Sequence, residues 1–439
     1  MFRRILLISE SFFPRSFSQK PSESGLLDSF IYFSLPLVLI TYFISIGVSS
    51  SLDESVSAIL LLLGLFLIIK NKGTFAPRNI QIIYRIGLLL SLMVVVHAVL
   101  GNNLEMLFEF QFANFRNMLI LPLIAALIVL MDLTAQGIWR LIVLSGSYTT
   151  ILSILILIEG SVRSQSGYLE EAIVTGNVGM LFGMLALTAL FGIKGSVWKG
   201  LALLVFFSGV ALSLLSGSRG GWLALLLGYF FLVWGLWGVN KRAFLGLISV
   251  LFISLLILYV FWDVLPVQNR INLAVDDIVE YLNGNSNTSV GGRFDMWKVA
   301  VIAFTENPFW GWGVVPFKET FIEYANQGVI NFDLAIKNGF AQPHNDYLFV
   351  MYHFGIVGFL LVMALLTFPI YVLIKAIKEA KTRKNNQMVY IGLTGLIALE
   401  TLMEMMLSNL ALMNEIFYVV ITVLFMVLFV LDKGQRIRV

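Results

Sequence analysis

The chain has 439 residues, 59% of them hydrophobic and only 13% charged, about half the charged share of a soluble domain. Apolar runs of about 20 residues recur along its whole length, which predicts an all-α polytopic membrane protein. There is no cysteine and the net charge is only +3, so disulfides, thiolate metal sites and cysteine nucleophiles are excluded, and no motif points to a nucleic-acid partner.

In chain order, Met1-Phe2-Arg3-Arg4 opens only a short apolar run without a small-residue cleavage site, and reads as a mature cytoplasmic end rather than a signal peptide. Twelve spans are predicted, near 27–48, 55–70, 82–101, 116–132, 138–159, 174–193, 197–216, 220–238, 242–262, 344–374, 388–408 and 413–431. With both termini inside, 21 of the 29 Lys and Arg fall in inner segments and eight in outer ones. The inner loop Lys375–Lys384 alone carries five. This is the bias that sets membrane orientation.

The chain then divides into spans one to nine (1–262), an outer soluble segment (263–343) and spans ten to twelve (344–439). The outer segment is predicted to hold short amphipathic helices. Val267–Leu282 places Ile271, Leu273, Ala274, Ile278 and Leu282 at helical spacing. Asn283-Gly284-Asn285-Ser286-Asn287 breaks it. A second helix is expected from near Arg293 to before Asn307-Pro308, and a third over about Lys318–Asn326. Between them, Phe309-Trp310-Gly311-Trp312-Gly313 suits an aromatic turn at the lipid interface.

Candidate chemistry gathers on the outer side. His344, in Gln342-Pro343-His344-Asn345, opens span ten from outside. The positive potential of a helix N-terminus disfavours imidazolium, and a neutral imidazole can take a proton from a sugar hydroxyl. The plainer reading is an interfacial hydrogen-bonding residue. Gly355 and Gly358 lie about three and four turns further on, near the same face, where small residues allow close helix approach or room for a lipid. His97 and His353 sit inside apolar spans and read as structural.

Ser216-Gly217-Ser218-Arg219-Gly220-Gly221 is a tight outer turn in which Ser218 caps the helix that Arg219 opens. Free N–H groups, a helix start and a guanidinium make an anion site; snorkelling at the surface is the alternative. Arg293, in Gly291-Gly292-Arg293-Phe294-Asp295, is placed in the same manner, with an ion pair to Asp295 as its alternative. Two arginines can divide a pyrophosphate between them. Arg116 and Arg163, outer arginines near span ends, are second-tier phosphate candidates. Glu400 and Glu404, one turn apart in span eleven, are costly intramembrane carboxylates. Glu404, nearer the outer end, is the one preferred for a substrate-binding role; a proton pathway and a structural pair are the rivals. No cluster has metal-ligand spacing, so neither metal nor cofactor is expected.

These residues together resemble the bacterial O-antigen ligases and their wider superfamily of membrane polymerases and ligases. Arg219-Gly220-Gly221-Trp222-Leu223 matches the Arg-x3-Leu motif. Gln268-Asn269-Arg270, continuing to the Gly291-Gly292-Arg293 end of the outer segment, resembles the ligase outer loop that closes on Gly-x-Arg. His344-Asn345, nine residues, Gly355, two residues and Gly358 match the His-Asn-x9-Gly-x-x-Gly pattern.

The resemblance implies a glycosyltransferase of GT-C-like fold, with about twelve transmembrane helices and one large periplasmic helical loop, in the bacterial inner membrane. Its donor would be O-antigen on undecaprenyl pyrophosphate and its acceptor a sugar hydroxyl of lipid A-core, both embedded in membrane lipid. By similarity His344 would be the base, and Arg219 and Arg293 would hold the departing pyrophosphate, with inversion and without metal or nucleotide. An O-antigen or exopolysaccharide polymerase and a protein O-oligosaccharyltransferase differ only in acceptor. A proton-coupled transporter, the reading from another class, would use Glu400 and Glu404 and leave the His and Arg motifs unexplained.

Overall fold

The computed structural model describes residues 38–44, 62, 76–101, 104–105, 112, 115, 117–159, 172–217, 220–260, 262, 267–330 and 342–436. The predicted span 55–70, apart from residue 62, and the candidates Arg116, Arg163 and Arg219 therefore lie outside the described residues. Of span 27–48, residues 38–44 are described and are helical.

Among the described residues every regular element is helical. In chain order they are α1 (Arg78–Leu100), a 3-10 turn (Met118–Ile120), α2 (Leu121–Met131), α3 (Ala135–Gly146), α4 (Tyr148–Glu159), α5 (Ala172–Gly192), α6 (Ser196–Leu215) and α7 (Trp222–Leu236). Then come α8 (Lys241–Val260), α9 (Val267–Leu282), α10 (Ser289–Glu306), α11 (Phe317–Asn326), α12 (Asp346–Thr382), α13 (Asn386–Ser408), a second 3-10 turn (Ala411–Met413) and α14 (Ile416–Arg436). Seven helices among the described residues are long and apolar enough to cross a membrane, taking α3 and α4 as one. The chain is a multi-pass membrane protein. At 15 residues α7 reaches only about 22 Å, short of a hydrocarbon core of about 30 Å.

α13 is the pillar of the bundle. It packs against α5, α7, α12 and α14, and its apolar residues are buried almost all round, as expected of a helix enclosed by others. α5 crosses α6 so closely that a Cβ on Gly209 would lie 2.4 Å from the Gly179 carbonyl oxygen, the small-residue packing that lets membrane helices approach. The peripheral α8 turns Phe252, Leu255, Leu256 and Tyr259 outward.

α9 and α11 fall where the spacing predicts, over 267–282 and 317–326. α10 corrects the expectation that its helix opens at Arg293. It starts at Ser289, because the Thr288 hydroxyl accepts the Gly291 N–H at 3.0 Å and caps it. Met296, Val299, Ala300, Ala303, Phe317, Phe321 and Tyr324 form a small core of their own, which Tyr352 of α12 completes.

α12 corrects a second expectation. Gly355 does not lie on a continuous face with His344; it breaks the helix, with φ 60° and ψ −158°. The aromatic turn 308–313 docks into that break. Trp312 N–H donates to Tyr352 O, Gly313 N–H to His353 O and Ile356 N–H to Pro308 O, each at 2.8 Å. Gly311 must also be glycine, because a Cβ there would meet Tyr352 O at 2.5 Å. The aromatic turn is thus a backbone splice as well as a surface feature, with Phe309 and Trp310 still exposed. Beyond the break, residues 356–382 extend about 40 Å and suffice to cross a membrane alone. Residues 346–354 are left as a short half-helix between the two cores, Phe349, Val350 and Phe354 facing the bundle and Leu348 and Tyr352 the smaller core.

Candidate functional site around His344

His344 sits just before this half-helix. Asn345 is the N-cap of α12, its side-chain oxygen accepting the Leu348 N–H at 3.1 Å. His344 itself has φ 47°, a left-handed conformation that is uncommon for a non-glycine residue and persists only where the surroundings impose it. They do so from both sides. Trp297 Nε1 of α10 donates to Pro343 O at 2.9 Å. Asn345 Nδ2 donates to Leu407 O at 3.1 Å, and Leu412 N–H donates to Asp346 Oδ2 at 2.8 Å.

The electrostatics of this position favour a free base. Burial, then the positive charge of Arg293, hold the His344 imidazole below its ordinary pKa, while a side-chain hydrogen bond with Asn409 opposes them. Its Nδ1 is buried without a hydrogen-bond partner. A neutral imidazole with one bare nitrogen beside a fixed cation can accept a proton from a hydroxyl next to an anionic group.

Arg293 lies in the second turn of α10 and acts on His344 through its charge. Its alternative partner Asp295 instead takes a hydrogen bond from the Tyr281 hydroxyl at 3.4 Å. Arg219 is outside the described residues, but the turn on either side of it is described. A Cβ on Gly217 would meet the Arg270 guanidinium of α9 at 2.6 Å, and one on Gly220 would meet Ser408 Oγ at 2.5 Å. Ser408 precedes Asn409, so this turn and His344 pack against the same end of α13. No described residue caps α7 with its side chain; Gly221 is its N-cap.

Glu404 is one turn below Ser408 on α13, 5% exposed, and its Oε2 has no hydrogen-bond partner. Glu400, a turn deeper, comes within 3.5 Å of where a Gly228 Cβ would stand on α7. The pair thus lies between helices, below the His344 end. His97 and His353 hold the spliced turn. The first lies between the Met93 and Trp310 carbonyls, and the second contacts Gly313 O at 2.6 Å through Nδ1.

Sequence reasoning did not single out Asn409, Trp297 or Asp346. Their partners lie 46 to 66 residues away in the chain for the bonds from Trp297 and to Asp346, and no local pattern signals such contacts.

Residues 202–363 match the family model for O-antigen ligase. The O-antigen ligase match begins within α6 and ends in α12, so it takes in the 216–221 turn, Arg293 and His344. An uncharacterized protein of Haemophilus influenzae is 35% identical over 167 residues, 37% of this chain and 40% of that protein. An O-antigen ligase of Escherichia coli is 43% identical over 44 residues, 10% of each chain. The chain thus covers about two fifths, or less, of the length of these relatives.

Proposed function

We propose that the protein is an O-antigen ligase that transfers O-antigen polysaccharide from undecaprenyl pyrophosphate to a sugar hydroxyl of lipid A-core. It works at the periplasmic face of the bacterial inner membrane, with twelve spans in a GT-C-like arrangement and residues 263–343 forming the periplasmic segment. The observation that carries this reading is the half-buried His344, its imidazole pKa held down by burial and by the charge of Arg293, within the region of the family match.

In this reading the acceptor hydroxyl gives its proton to His344 as its oxygen attacks the anomeric carbon of the donor. The glycosyl–phosphate bond breaks on the opposite face, so the anomeric centre inverts. Undecaprenyl pyrophosphate leaves as an anion, and the guanidiniums of Arg219 and Arg293 stabilise its developing charge. Arg116 and Arg163 are second-tier contacts to the same phosphates. Glu404 lines the sugar-binding cavity, where a carboxylate can accept sugar hydroxyls. Two fixed cations neutralise the leaving group without a metal, and the phosphate-linked donor is already activated, so no cofactor is required. The helices of 267–326 cover the site and limit competition from water.

A polymerase of the same superfamily is the second reading, since the family match spans the donor-side residues and acceptor choice separates the two. The test incubates the purified protein with undecaprenyl-pyrophosphate-linked O-antigen and lipid A-core, with chelator, and resolves the products on a gel. A ladder of capped lipid A-core is the expected result. Unchanged lipid A-core beside lengthened lipid-linked glycan would replace ligase by polymerase, and no product of either kind would point to a protein acceptor.

A further inference from the structure

An amphipathic helix ordinarily turns its apolar side toward the protein; α9 does not. Ile271, Val275, Ile278 and Leu282 recur at helical spacing along one side, and each is between 41% and 78% exposed. The side packed on the protein is a different one, formed by the half-buried Arg270, Ala274, Asp277 and Tyr281. The third side is polar and exposed, with Asn269, Asn272, Asp276 and Glu280.

Two attachments fix how α9 lies. Near its start, the Arg270 guanidinium is 2.6 Å from where a Cβ of Gly217 would stand, in the turn that follows α6. Near its end, the Tyr281 ring meets Phe294 at 5.0 Å and Phe294 meets Trp297 at 5.7 Å. Trp297 Nε1 in turn donates to Pro343 O at 2.9 Å, just ahead of α12. Both α6 and α12 are long and apolar enough to cross a membrane. The turn after α6 and the loop before α12 also meet the same end of α13, the first at Ser408 and the second at Leu407 O. α9, with 16 residues and a length of about 24 Å, is thus tethered near both ends to one face of the membrane bundle and lies along it.

The preceding helix shows what covers the bundle on this side. α8 has 20 residues, about 30 Å, the thickness of a hydrocarbon core. It points Phe252, Leu255, Leu256 and Tyr259 outward, as a helix in contact with lipid does. Its end at Val260 and the start of α9 at Val267 stand at most about 25 Å apart along the chain. We infer that the lipid face of α8 continues onto α9: the Ile271–Val275–Ile278–Leu282 stripe is seated in the headgroup–acyl boundary of the bilayer, with Asp276 and Glu280 left in water. Helices of this kind sink about 5–10 Å into that boundary. The one basic residue of α9 is Arg270, which faces the protein, and the polar side carries acids. Attraction to anionic headgroups therefore contributes nothing, and the seat rests on apolar burial, which salt does not screen. Because Arg270 belongs to the same helix, the seat also holds the 216–221 turn at the level of the bilayer surface.

The absence of cysteine makes the test direct. Full-length Val275→Cys and Ile278→Cys report the stripe, and Leu273→Cys and Asp276→Cys the opposite side. Leu273 is apolar and exposed but lies off the stripe, so it separates lipid contact from mere local hydrophobicity. Each variant is labelled with bimane and placed in nanodiscs of phosphatidylethanolamine and phosphatidylglycerol. All four positions are exposed on α9, so labelling removes no core contact, and the two stripe positions are independent readings. Brominated acyl chains are expected to quench the stripe labels several-fold more than the other two, and more strongly with bromine near the headgroup than near the chain end. Iodide in the water should give the reverse ranking, and neither ranking should change between low and high salt. Equal quenching by bromolipid at all four positions, or ready access of iodide to the stripe, overturns the inference. So do stripe labels shielded from both quenchers, which would mean that protein covers them, and a lipid contact that is lost in high salt.

Discussion

Replacing Gly355 by alanine tests the feature on which the placement of His344 depends. At φ 60° and ψ −158° an L side chain is strained by about 1–3 kcal/mol. The new Cβ would also lie 2.4 Å from the Phe309 carbonyl oxygen, and that oxygen cannot retreat alone, because the turn is tied to α12 by three backbone bonds of 2.8 Å. Undocking the turn would sacrifice three bonds of about 1 kcal/mol each, so strain and lost bonds together cost about 4–6 kcal/mol. Two measurements check this in detergent. One is the thermal midpoint, expected to fall by several degrees. The other exploits the cysteine-free chain: Val314→Cys, at a residue 6% exposed beside the turn, should react slowly with a maleimide in the parent and quickly when Gly355→Ala is added. Gly200→Ala is the control, since nothing lies within 4 Å of its Cβ position and alanine favours the helix by roughly 0.5–1 kcal/mol. A Gly355→Ala protein that melts like the parent and keeps slow labelling would refute the spliced turn.

The remaining predictions concern the chemistry. Arg293→Gln removes a charge that lowers the His344 pKa, so the acid limb of kcat/KM should move to higher pH; an unmoved limb would detach Arg293 from the base. The same depressed pKa predicts that the folded protein loses stability as pH falls through about 6.5, where the unfolded chain takes up a proton that folded His344 refuses. Unfolding midpoints of parent and His344→Gln across that range would reveal it, and equal slopes would contradict it. Arg219→Lys should transfer poorly, because an ammonium does not reproduce bidentate phosphate contacts; near-normal turnover would argue against pyrophosphate binding. Trp297→Phe removes the bond to Pro343 O and should destabilise by about 1 kcal/mol while lowering kcat, and unchanged kcat would show that the loop needs no such support.

The helices were legible because their signals are local. Apolar length marks α1, α5, α6, α13 and α14, and helical spacing marks α9 and α11 to within a residue or two. The cap of α10 was also local, a threonine three residues before Gly291, and reading Arg293 as the helix start overlooked it. The break at Gly355 was not legible. The proline of its apolar run, Pro369, lies fourteen residues further on, and what breaks the helix is a turn more than forty residues earlier that shares three hydrogen bonds with it. The face assigned to Gly355 and Gly358 therefore failed, although Gly358 does approach α1, where a Cβ would lie 2.9 Å from Met93 Cε. His344 and Arg293 could be named from their motifs, but not their electrostatic coupling, nor Asn409, which depends on how α13 ends against the His344 loop.

We propose His344 as the base of a transfer carried out by residues of this chain. Single-turnover transfer from lipid-linked O-antigen to lipid A-core, with chelator, compares His344→Ala with the parent most directly. A loss of about 10²–10⁴-fold in rate with donor binding retained is predicted. Transfer at the parent rate by a correctly inserted His344→Ala protein would contradict it.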